Sequence, residues 1–174
     1  MAVRTRIGIF VVGLLLVVAV PVVAAGELGP VERASAELRN AAGDVVGWAK
    51  LTEDATGIVH VNVQVAGLSA GLHGIHIHNT ADCTPPFTAA GGHHNPLGVA
   101  HGDHAGDLPN LTVNVAGRGH LDGTTDGATL SPSVISVFDA NGSALIIHAG
   151  TDDYVTDPTG NSGARIACGV IVAD

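Results

Sequence analysis

The sequence predicts an all-β domain, and three observations predict it. From Ala34 onward the apolar residues fall in short runs that are β-branched or alternate with polar residues. Clusters rich in Gly, Asp, Asn and Ser separate these runs, as turns between strands require. Nowhere does an apolar period near 3.6 persist long enough to bury one face of a helix.

The N-terminal residues stand apart from this pattern. Arg4 and Arg6 precede an uncharged run, Ile7 to Gly26, and Val23, Ala24 and Ala25 put small residues where a signal peptidase cuts. Residues 1–25 therefore read as a secretory signal peptide, cleaved after Ala25. The rival reading is an uncleaved membrane anchor through residues 7–25, since about 20 apolar residues can span a bilayer. Residues 26–33 read as a short linker and residues 34–174 as the domain. Either reading of the leader places the domain outside the cytoplasm, in a periplasm, cell envelope or extracellular space.

The candidate strands follow in order: "ASAELRN", "VVGWAKL", "GIVHVNVQVAG", "LHGIHIH", "LTVNVAG", "VISVFD", "ALIIHAG" and "RIACGVIVA". The turns "NAAGD", "EDATG", "GLSAG" and "DANGS" connect several of them, and "GRGHLDGTTDGATL" offers one more strand with a weak pattern. Thr80 to Asn110, rich in Gly, Pro and His, and Gly150 to Ala164, rich in Asp, Thr and Gly, are too long for hairpin turns. Long ordered loops commonly carry function.

Without residues 1–25, five Lys or Arg face sixteen Asp or Glu, a formal charge of −11. Arg33, Arg39, Lys50, Arg118 and Arg165 are scattered along the sequence, which argues against nucleic acid or anionic lipid as partner. Two cysteines, Cys83 and Cys168, make an even count in a chain bound for an oxidising compartment, which favours a disulfide.

Histidine carries the chemistry. In "GLHGIHIHNT", His76 and His78 lie two apart on a strand and project to one side, while Ile75 and Ile77 go to the other. The loop "GGHHNPLGVAHGDHAGDL" adds His93, His94, His101, His104 and Asp107, and "ALIIH" delivers His148 from another strand. Neutral imidazoles with one carboxylate are a ligand set suited to zinc and copper.

The ordered set "GLHGIHIH", "GGHHNPLGVAH", "HAGDL", "IIH" and "GNSGARIACGV" resembles copper/zinc superoxide dismutase, over about Ala34 to Ala173. The resemblance implies an eight-stranded Greek-key β-barrel or sandwich with two long functional loops. It makes His76, His78, His93 and His148 copper ligands, and His93, with His101, His104 and Asp107, ligands of zinc. It makes Asp152 the carboxylate that hydrogen-bonds ligands of both metals, pairs Cys83 with Cys168, and gives Arg165 the role of receiving the substrate, superoxide. His73 becomes a structural, hydrogen-bonded residue, while His60, His94 and His120 match no ligand.

The implied activity is dismutation of superoxide to oxygen and hydrogen peroxide, with one copper and one zinc per chain. The alternative is a non-catalytic envelope protein that buffers copper and zinc on the same fold. Relatives include monomers and homodimers, so both states stay open. Two departures stand out: only Gly102 and Asp103 separate His101 from His104, where the family usually has a longer insertion, and Gly150 to Ala164 contains no lysine.

Overall fold

The computed structural model describes residues 32–174. The expected signal segment 1–25 and most of the expected linker lie outside them. Glu32 and Arg33, expected in that linker, already belong to the first strand.

Among the described residues, ten strands form one antiparallel sheet: β1 (Glu32–Asn40), β2 (Val45–Glu53), β3 (Val59–Ala66), β4 (Gly71–His73), β5 (Ile75–His78), β6 (Leu111–Val113), β7 (Arg118–Thr125), β8 (Ala144–His148), β9 (Arg165–Val170) and β10 (Val172–Ala173). Their order is β4-β6-β7-β3-β2-β1-β9-β8-β5, with β10 pairing β1. The two ends of this path, β4 and β5, are halves of one run interrupted only at Gly74, so the sheet curls back on itself as a nearly closed barrel. Counting β4 with β5 and β9 with β10 as single strands recovers the expected eight. The pairings β3–β7, β1–β9 and β5–β8 join strands distant in sequence, as Greek-key connections do.

Alternation builds the barrel interior. Ala34, Ala36 and Leu38 of β1, Ala49 and Leu51 of β2, and Val59, Val61, Val63 and Val65 of β3 all enter one buried cluster, while Arg33, Lys50 and His60 face out. β5 and β8 differ, since every residue in them is buried. Ile75, Ile77, Leu145 and Ile147 face the barrel core. Ala144 and Ile146 face the other way, into a small cluster with Phe87 and Cys168. The two long loops thus cover the outer face of this stretch of barrel wall.

The sequence reading errs on one strand. "VISVFD" forms turns with a single isolated bridge, Thr129 to Ser136, whereas the weak "GRGHLDGTTDGATL" segment supplies the eight-residue β7. On β7 the inward positions 119 and 123 are glycine, leaving Leu121 as its one buried apolar residue, so the apolar period is nearly invisible. Val137 is buried while Val134 and Phe138 are exposed, which makes "VISVFD" a loop over the barrel end rather than a strand. The carboxylate of Glu53 anchors this loop, accepting the Leu130 and Ser131 amides, each at 2.6 Å.

The Cys83–Cys168 disulfide, with Cα atoms 5.5 Å apart, ties the first long loop to β9 across 85 residues. Closing a loop of that length stabilises the fold by about 4–5 kcal/mol in the chain-entropy account.

Candidate metal centre

β5 projects His76 and His78 beneath the first long loop, which is hydrogen-bonded onto the strand. The Ile77 amide donates to Gly106 O at 2.9 Å, and the His94 amide donates to Ile77 O at 2.8 Å. This double contact sets His93 beside His78 and Asp107 beside His76. From the far side, β8 ends on His148, whose register partner on β9 is Arg165. The second long loop joins through Gly150 O, which accepts the Gly74 amide at 2.8 Å.

Two donor groups result, and His93 belongs to both. His76, His78, His93 and His148 present ligand atoms all within 4.8 Å of one another, and so do His93, His101, His104 and Asp107. Three members of the second group, His101, His104 and Asp107, share one compact turn. Gly102, at φ 96°, is fixed as glycine there, because a Cβ would meet Tyr154 O at 2.5 Å. Asp107 Oδ2 accepts the Gly102 amide at 2.7 Å and the His104 amide at 3.2 Å, closing the turn while Oδ1 faces inward. The short His101–His104 spacing is thereby accommodated.

The protein uses one nitrogen of most of these rings. His76 Nε2 donates to Asp152 Oδ2 at 2.7 Å, and His101 Nε2 donates to Asp152 Oδ1 at 2.8 Å. His78 Nδ1 donates to Gly91 O at 3.0 Å, and His148 Nδ1 donates to Gly163 O at 3.1 Å. The opposite nitrogens, His76 Nδ1, His101 Nδ1, His78 Nε2 and His148 Nε2, are buried without a partner, as is His93 Nε2. Five unpaired buried acceptors would be costly unless something else binds them.

The donor spacing fits metal ions. His104 Nδ1 lies 3.4 Å from His93 Nδ1, and Asp107 lies 3.3 Å from both His101 Nδ1 and His104 Nδ1. A tetrahedral ion with bonds of about 2.0–2.1 Å spaces its ligand atoms about 3.3 Å apart. The set of three imidazoles and a carboxylate suits zinc, and the four-imidazole set suits copper.

Electrostatics favour the same occupants. Burial, reinforced by neighbouring imidazoles, lowers the pKa of His76, while burial brings His78 to about 2 and His148 to about 4. Burial opposes the charge of Asp107, but hydrogen bonds from His93 and the Gly102 amide, with His101 and His104 close by, hold the carboxyl well below its usual range. Neutral rings of His76, His78 and His148 with free lone pairs in one group, and an ionised Asp107 in the other, are ready to bind cations.

Arg165 donates to Phe87 O at 2.6 Å and to Gly91 O, the carbonyl that also accepts from His78. Four contributors escaped sequence reasoning: the Gly91 carbonyl, Asn110, Tyr154 and Gly160. A Cβ on Gly160, at φ 58°, would strike Asp152 Oδ1 and His101 Nε2. None has a residue type that marks a site. His73 lies between His148 O at 2.7 Å and Ser69 O at 2.9 Å. His94 bonds Ile135 O, His60 bonds Asp54 and His120 bonds Asp122, all outside the two donor groups.

A nearly closed antiparallel barrel bearing two donor groups joined by one histidine defines a two-metal β-barrel protein. The sequence model described as copper/zinc superoxide dismutase (SODC) matches residues 45–171. The superoxide dismutase [Cu-Zn] 2 of Aquifex aeolicus is 41% identical over 148 residues, covering 80% of this chain and 86% of that one. Among solved structures, a SOD-like protein from Bacillus subtilis superposes with a TM-score of 0.74 at 37% identity, covering 79% of this chain and 97% of that one. The Cu/Zn superoxide dismutase from Brucella abortus gives a TM-score of 0.68 at 30% identity, covering 80% and 99%. The chain belongs to the copper/zinc superoxide dismutase family, a family of enzymes that take one copper and one zinc per chain.

The lowered histidine pKa values predict how the metal-free protein responds to acid. Below about pH 6.5 the unfolded chain protonates these imidazoles while the folded chain leaves them neutral until far lower pH, so the unfolded state binds more protons. Stability is then full above pH 6.5 and falls as the pH drops. The thermal midpoint of the metal-free chain should be lower at pH 4.5 than at pH 7.5, by about 4 °C for each kcal/mol lost. A midpoint unchanged between the two would mean that the rings titrate freely inside the fold.

Proposed function

We propose that this chain dismutes superoxide, with His76, His78, His93 and His148 holding copper and His93, His101, His104 and Asp107 holding zinc. One observation carries the reading: the two donor groups meet at His93, with Nδ1 in the zinc group and Nε2 buried and unpartnered on the copper side. Bound copper supplies the one-electron couple that converts two superoxide anions and two protons to oxygen and hydrogen peroxide, a couple closed-shell zinc lacks. His93 then has the proton-handling role. Its Nδ1 is fixed on the zinc side, 2.8 Å from Asp107 Oδ1, so Nε2, when not engaged by copper, would be the atom that takes up a proton and passes it to the reduced oxygen species. Asp152, between His76 and His101, holds the tautomers that leave both Nδ1 atoms free for metal.

Arg165 receives the anion. Its guanidinium is anchored on Phe87 O and Gly91 O and sits in register with His148, where a fixed cation can draw and align superoxide. A metal-buffering protein on the same fold, the reading that the Bacillus name "SOD-like" leaves open, has no use for an arginine held this way. We also propose that the domain is exported, on the strength of the basic, apolar leader and the disulfide.

Replacing His148 with alanine removes a donor that only the copper group uses. His148→Ala should lose copper and nearly all dismutase activity while zinc remains, both read by metal analysis and a superoxide assay. Activity near wild type with full copper occupancy would sink the assignment.

Arg165→Ala should lower the rate by about tenfold or more, the low end of what local fields add to encounter rates. In wild type the attraction to Arg165 and the repulsion from an exported chain of formal charge −11 oppose each other, so salt should change the rate little. In Arg165→Ala only repulsion remains, and added salt should raise the rate. A mutant rate that falls with salt would show that another cation guides the substrate.

The intact mass of the exported chain, taken before and after reduction, tests both leader cleavage after Ala25 and the disulfide. A mass retaining residues 1–25 would favour the membrane anchor.

A further inference from the structure

Asp152 reaches both donor groups, so whatever fixes Asp152 governs how the two are held relative to each other. Its backbone is clamped by one side chain. The Asp152 amide donates to Asn110 Oδ1 at 2.9 Å, and Asn110 Nδ2 donates back to Asp152 O at 2.9 Å. Asn110 lies between Asp107, at the end of the zinc-side turn, and β6, so this reciprocal pair joins the two long loops.

Tyr154 completes the clamp. Its hydroxyl accepts the second Asn110 Nδ2 hydrogen at 2.7 Å and the Asn110 amide, also at 2.7 Å. With these bonds, both Nδ2 hydrogens of Asn110 and one lone pair of its Oδ1 are used. The Tyr154 amide donates to Asp152 Oδ1 at 2.7 Å, on the oxygen that also accepts from His101. The Tyr154 carbonyl packs against Gly102 in the zinc-side turn. The residue as a whole is 46% exposed, far more than space-filling in a core would require. Tyr154 also adopts φ 61°, a backbone conformation unusual for a tyrosine.

We propose that Tyr154 is a positioning residue for the two-metal centre: its hydroxyl locks Asn110, Asn110 locks Asp152, and Asp152 fixes the His76 and His101 rings that face copper and zinc. The inference rests on the two-metal reading above. It assigns to a partly exposed phenol, outside both donor groups, the task of coupling occupancy at one metal to ligand geometry at the other.

The test uses the full chain loaded with copper, and Tyr154→Phe, which removes the hydroxyl but keeps the ring. Zinc affinity, measured by chelator competition, should weaken by about tenfold, the lower end of the loss seen when groups orienting metal ligands are removed. The Cu(II) electron paramagnetic resonance spectrum should shift in the same direction as in Asp152→Asn, a signature that general loosening of the fold would not reproduce. Combining Tyr154→Phe with Asn110→Ala should weaken zinc no more than Asn110→Ala alone, because the two act in series. The proposal is overturned if Tyr154→Phe keeps zinc affinity within about twofold with an unchanged copper spectrum, or if the two losses add. Should Asn110→Ala not fold, the Tyr154→Phe affinity and spectrum still decide. A wild-type chain that takes up no zinc would instead overturn the two-metal reading itself.

Discussion

Four of the candidate ligand imidazoles, His76, His78, His101 and His148, have one nitrogen occupied by the protein and only the other open to a metal, while His93 alone serves both donor groups; much of the structure follows from that constraint. Neutral imidazole carries one N–H and one lone pair, so an acceptor on one nitrogen fixes a lone pair on the other. Gly91 O and Gly163 O set His78 and His148 in this way, and the two oxygens of Asp152 set His76 and His101. All of these acceptors, Gly91 O, Gly163 O and both Asp152 oxygens, belong to the two long loops. Loop conformation therefore decides which atoms can bind metal.

The barrel provides what loops alone cannot, a rigid wall for them to lie against. β5 and β8 direct isoleucine and leucine into the core and histidine outward beneath the loops, so one strand serves both packing and chemistry. Loops of this length are ordinarily the least stable part of a domain. Here the Cys83–Cys168 bridge, the backbone contacts at Ile77 and Gly74, and the buried Phe87 hold them in place. The same attachment carries the Phe87 and Gly91 carbonyls to Arg165, so the disulfide supports the placement of this guanidinium as well as the fold.

The sequence exposes those parts of this arrangement that depend on residue type and spacing. His76 and His78 were legible because a strand turns alternate residues to one side, and His101, His104 and Asp107 because histidine clusters rarely occur without cause. β7 was nearly illegible, since glycine occupies the inward positions where an apolar residue would have announced the strand. "VISVFD" misled for the opposite reason, having the composition of a strand but the task of covering the barrel end. Asn110, Tyr154 and Gly160 left no trace at all, because their roles come from a carbonyl, a hydroxyl or a missing Cβ brought close by loops distant in sequence.

The short turn between His101 and His104 shows how a departure from a family's spacing can leave a donor group assembled. A longer insertion between His101 and His104 would order itself by its own contacts; a two-residue spacer cannot. Here Asp107 supplies the missing order, since one carboxylate oxygen takes two turn amides while the other faces the His93 and His104 rings. The ligand is thus also the cap of the turn that carries the other ligands. Such a dual role ties metal binding to local folding more tightly than a long, independently ordered loop would, because a cation drawing on Oδ1 pulls on the same group that holds the Gly102 and His104 amides. Gly102, which alone lets the turn pass the Tyr154 carbonyl, extends that linkage to the second loop and to Asp152. The compact turn and the Asp152 bridge are therefore two halves of one mechanical unit.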